Sequence, residues 1–121
     1  MEDVLLREID RIGEMMLMIA RRLGLFGGKK PDYSISNVKE EFGKADLEID
    51  LDDVLKKENP ICYLVEEKKF SERALETFVE ILFYSDIEES KKTALLSDAI
   101  TWLDSKGYIS FKLHSLLKEN Q

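Results

Sequence analysis

The chain has 121 residues, 44% of them apolar and 36% charged, and its eighteen basic and twenty-five acidic side chains leave a net charge of −7. That length suits one domain with a core of its own, and the acidic balance repels phosphate backbones, so nucleic acid is not an expected partner. The lone cysteine, Cys62, rules out a disulfide within the chain and points to a reducing compartment.

The first segment, Glu2 to Phe26, is predicted to be one long helix. Leu5, Ile9, Ile12, Met16, Ile19, Leu23 and Phe26 alternate spacings of four and three, a heptad pattern that puts all seven on one stripe. Gly13 and Ala20 run beside the stripe and are small enough for a neighbouring backbone to approach. Between Met15 and Ala20 the polar back of the helix vanishes, leaving Leu17 and Met18 apolar where water is expected. The run is far short of the ~20 residues a membrane span needs, and Glu2 and Asp3 stand where a secretory signal would be positive. A cytoplasmic protein with no membrane partner is therefore expected. Gly27-Gly28, with Pro31 beyond, is the expected helix end.

Lys29 to Ser36 is expected to be a mobile linker, followed by a short helix from Ser36 to Ala45 with Val38 and Phe42 inward. Asp50 is a candidate N-cap for the next helix, with Ile49 and Val54 spaced as a hydrophobic staple. Asn59-Pro60 opens another, because proline at the first helical position forgoes no needed hydrogen bond. Ser71 caps a helix whose stripe is Leu75, Phe78, Val79 and Leu82. Asp86 with Glu89 resembles a capping box before a helix carrying Leu95, Ala99, Trp102 and Leu103, which Gly107 ends. A last helix runs from Ser110 to Glu119. The fold class expected is all-α in one domain: a long N-terminal heptad helix (1–28), a linker (29–35) and a compact array of short antiparallel helices (36–121).

The chemistry-bearing residues are few. His114 is the only histidine, so any triad or histidine metal site would have to use it, and its terminal helix suggests a surface position. Cys62, beside a buried-looking isoleucine, is expected to be a small core thiol. Asp46, Glu48 and Asp50 suggest a calcium loop, but Leu51 stands where glycine is needed and Lys57 where a bidentate glutamate belongs. Gly24 to Lys30 has the wrong glycine spacing for a phosphate loop. No enzyme activity, cofactor or metal is expected. The stretch "AITWLDSKGYIS", Ala99 to Ser110, resembles the recognition helix and wing of winged-helix DNA binders, although Asp98 and Asp104 make the helix acidic and "FKLHSLLKENQ" has a helical pattern.

Three further stretches carry a family resemblance. "VLLREIDRIGEMMLMIARRLGL" (Val4 to Leu25) and "WLDSKGYISFKLHSLLK" (Trp102 to Lys118) resemble the two ends of a family of small bacterial proteins known only as a domain of unknown function. "LVEEKKFSERALETFVEILF" (Leu64 to Phe83) resembles its central, tetratricopeptide-like helical hairpin. The resemblance implies an all-helical fold and brings no catalytic residue. No 34-residue repeat is visible, and Ala74 with Phe78 is the only fragment of the tetratricopeptide consensus.

The function expected is that of a non-enzymatic scaffold or adaptor that binds a protein partner with its helical body. It would self-associate as a homodimer through Ile12, Gly13, Met15, Met16, Leu17, Met18, Ile19, Ala20 and Leu23, since a helix apolar all round needs partners on two sides. The alternatives are a winged-helix-like nucleic-acid regulator and a small-molecule sensor with a helical pocket.

Overall fold

The structure is a computed structural model that describes residues 10–28 and 31–119. Among these residues every regular element is an α-helix: α1 (Arg11–Arg22), α2 (Ile35–Lys44), α3 (Leu51–Lys56), α4 (Pro60–Glu66), α5 (Glu72–Phe83), α6 (Glu89–Ser105) and α7 (Phe111–Glu119). The centre is α5. It buries Ala74, Leu75, Thr77, Phe78, Val79, Ile81 and Leu82 and touches α1, α2, α4, α6 and α7. Phe78 is fully enclosed, with the rings of Phe42 and Phe70 at 6.1 and 5.6 Å. Among the described helices α5 buries the most residues, and its polar side chains, Glu72, Arg73, Glu76 and Glu80, are themselves partly covered.

The α1 helix makes its largest contact with α5, and Met16, Ile19 and Ala20 are fully buried there. It stops four residues earlier than expected. Gly24, at φ +86°, closes it: the Gly24 amide bonds to the Arg21 carbonyl and the Leu25 amide to the Ala20 carbonyl. That pair of reversed bonds satisfies carbonyls the helix would leave orphaned. Phe26 and Gly27-Gly28 therefore lie beyond the helix, and the heptad positions before Asp10 lie outside the described residues.

The second half of the expected linker is fixed. The Tyr33 side chain is buried and its hydroxyl donates to the Ile81 carbonyl of α5 at 2.6 Å. Ser34 caps α2, exchanging bonds with Asn37 in a capping box. Asp86 does not open α6. Its carboxylate instead accepts the Ile35 amide of α2 at 2.8 Å, and Glu88 occupies the N-cap of α6 without a side-chain bond. The other expected caps are in place: Asp50 accepts from the Asp52 and Asp53 amides, Asn59 from Cys62, and Ser71 from Ala74.

Two cap serines are tied to carboxylates. The Ser71 hydroxyl donates to Asp10, which also pairs with Arg73. Ser110 accepts the Leu113 amide at 3.2 Å and donates to Glu76, which takes a second bond from Tyr108 at 2.9 Å. The shared acceptor, Glu76, lies on α5, and the buried serine before α7 is satisfied as both donor and acceptor.

Candidate functional site

The main concave feature is a groove between α4 and α6. The larger of its two lobes, about 470 Å³, is lined from α4 and the turn before it by Glu58, Asn59, Ile61, Cys62, Val65 and Glu66. From α6 come Asp98, Thr101, Trp102 and Ser105. These four are spaced three, one and three, one stripe of a helix. A smaller lobe of about 130 Å³ continues the groove toward the start of α6, between Leu55 and Pro60 on one side and Ala94 and Leu95 on the other. Glu58 and Asp98 belong to both lobes. From Lys91 to Ser105 the groove follows α6 for about 20 Å, at 1.5 Å per residue.

Its floor is apolar and its larger lobe is acidic. Glu58, Glu66 and Asp98 line that lobe, and none of the three joins an ion pair among the described residues. The nearby lysines have partners of their own. Lys57 pairs with Asp53 at 3.6 Å and lies over the Tyr63 ring. Lys91 donates to the Leu55 carbonyl at 3.2 Å, and Lys106 sits over the Trp102 ring at 5.7 Å from its centroid. No lysine or arginine lines the larger lobe.

Trp102 and Cys62 both depart from the core positions expected of them. Each is half-buried, in the wall of the groove. Desolvation, the Glu66 charge and a hydrogen bond to that carboxylate push the Cys62 thiol above its usual pKa. A thiol held in its protonated form is a poor nucleophile. His114 is exposed, 3.4 Å from Asp104 on the neighbouring α6, and it does not line the groove. Among the described residues no group of three or more histidine, cysteine or carboxylate side chains converges to hold a metal ion. No described helix is long and apolar enough to cross a membrane.

The residues expected at a dimer seam divide. Gly13, Met16, Ile19 and Ala20 are buried within the chain, and Ile12 and Leu23 pack against the same core. Gly13 serves its own helix: a Cβ there would lie 2.3 Å from the Asp10 carboxylate, the group that holds Ser71 and Arg73. These six pack against the body of their own chain. Met15 and Leu17 remain half-exposed, and Met18 is 42% exposed. After Gly107 the chain runs directly into α7, and the described residues include no strand that could form a wing.

The groove was missed because Trp102 was counted with the apolar residues of α6. The available signal was its setting, a large aromatic with Asp98, Thr101 and Ser105 around it on one helical face. Compared with protein-family models, curated proteins and solved structures, the chain matches none of them.

Proposed function

We propose that the protein is a non-enzymatic interaction module that receives a segment of a partner polypeptide in the groove between α4 and α6. The observation that carries this reading is the open, elongated cleft of about 470 Å³ walled by Trp102 and floored by Ile61 and Val65. Aromatic side chains with an apolar floor and a polar rim are what a binding surface uses to anchor a partner. The volume would also hold a small ligand. Exposed rims at Glu58, Asn59, Glu66, Thr101 and Ser105 favour a chain lying along the cleft over a molecule enclosed in it. The test places a photoreactive amino acid at Thr101 in the living cell, and the same group at exposed Glu40 on α2 as the control. A discrete polypeptide adduct from Thr101, absent from Glu40, is expected. Equal labelling at both positions, or none at Thr101, contradicts the reading.

Self-association is a second part of the proposal. Met15, Leu17 and Met18 support it, as the apolar side chains on the outer face of α1 that stay at least partly exposed.

A further inference from the structure

The two lobes differ in chemistry, and that difference defines the occupant. We infer that the groove selects a basic segment: a lysine or arginine side chain in the larger lobe, and an apolar side chain of the same segment in the smaller one. The inference rests on the groove being the binding site and adds what it recognises.

In the larger lobe, Glu58, Glu66 and Asp98 have no cationic partner within the chain, and the lining includes no basic residue. A long cationic side chain suits such a place on both counts. Its methylenes lie on Ile61, Val65 and Trp102 while its charged end meets carboxylates.

The smaller lobe asks for something else. Leu55, Pro60, Ala94 and Leu95 give it apolar walls around about 130 Å³, room for one apolar side chain. Lys57 and Lys91 border it and disfavour a second cation there. Glu58 and Asp98, shared by the lobes, stand between the two side chains and fix their order along the groove. An acidic segment is repelled by the larger lobe, and a purely apolar one leaves three carboxylates desolvated without compensation.

The experiment pans a phage library of random peptides against the wild-type protein, then measures each enriched peptide against two variants. Thr101→Arg fills the larger lobe, and Glu58→Gln with Asp98→Asn removes charge while keeping shape. Enriched peptides carrying a lysine or arginine near an aliphatic residue are expected. Their binding should be lost with Thr101→Arg, and weakened severalfold at low salt by the neutral pair, as loss of a complementary charge at an exposed rim does. Peptides lost with Thr101→Arg but lacking basic residues, or indifferent to the neutral pair, overturn this inference and leave the groove as a binding site. Peptides indifferent to Thr101→Arg, or no enrichment over that variant, overturn the groove reading itself. Circular dichroism and the unfolding midpoint of each variant establish that it is folded.

Discussion

Phe78 shows how one side chain holds several elements. It lies on the central helix, has no exposed surface, and is packed by Phe42 of α2 and by Phe70 just before α5. Phe78→Ala should cost about 3–5 kcal/mol of stability, the usual range for emptying an aromatic site in a core. Urea unfolding measures it, and an unchanged midpoint would remove Phe78 from the core. Tyr108 gives a pH test. Desolvation and its bond to Glu76 raise its phenol from 10.0 to about 12. A folded-state pKa above the unfolded one means the stabilisation is complete below pH 10 and is lost as pH rises through 12. The stability difference between wild type and Tyr108→Phe should shrink across that window. A constant difference would mean that the phenol titrates alike in both states. The spacing of the sequence identified Phe78 as core, since Leu75, Phe78 and Leu82 recur at helical intervals. It did not reveal Tyr108, because its partner Glu76 is 32 positions away.

At the scale of elements, local chemistry was legible wherever it acted locally. Asp50, Asn59 and Ser71 cap the helices that follow them, because a cap needs only its own next two or three amides. Gly107 ends α6 as expected. Gly24 ends α1 by the same geometry, but Gly27-Gly28 looked the stronger stop. Asp86 misled for a different reason. Its spacing to Glu89 imitates a capping box, yet the carboxylate turns to Ile35, 51 positions earlier. Such a choice is made by tertiary packing and leaves no local pattern. Asp86→Ala should therefore destabilise the protein by about 0.5–2 kcal/mol, the range for losing a helix cap. Hydrogen exchange should quicken at the start of α2 and not at the start of α6. A faster α6 with an undisturbed α2 would return Asp86 to the helix beside it.

At the scale of the molecule, the sequence carried the all-helical class and most of the core, but not which helix lies at its centre. The sequence places a second apolar face on the first segment, at Leu17 and Met18, while the helix with the most buried residues is α5. Six of the nine seam residues consequently pack within the chain. Self-association through Met15, Leu17 and Met18 predicts a dimer in sedimentation, turned to monomer by the Leu17→Glu, Met18→Glu double variant. A monomeric wild type contradicts it. The groove escaped the sequence because two short stripes, one on α4 and one on α6, acquire meaning only when packing sets them face to face.

Trp102 is the only tryptophan in the chain and stands in the wall of the proposed site, so its emission reports on that site alone. The measurement is a fluorescence titration of the protein with the polypeptide captured from Thr101, repeated with Thr101→Arg. The account predicts a saturable shift in Trp102 emission for the wild type and none for the variant. A partner that binds both proteins equally and leaves the emission of Trp102 unmoved would contradict it.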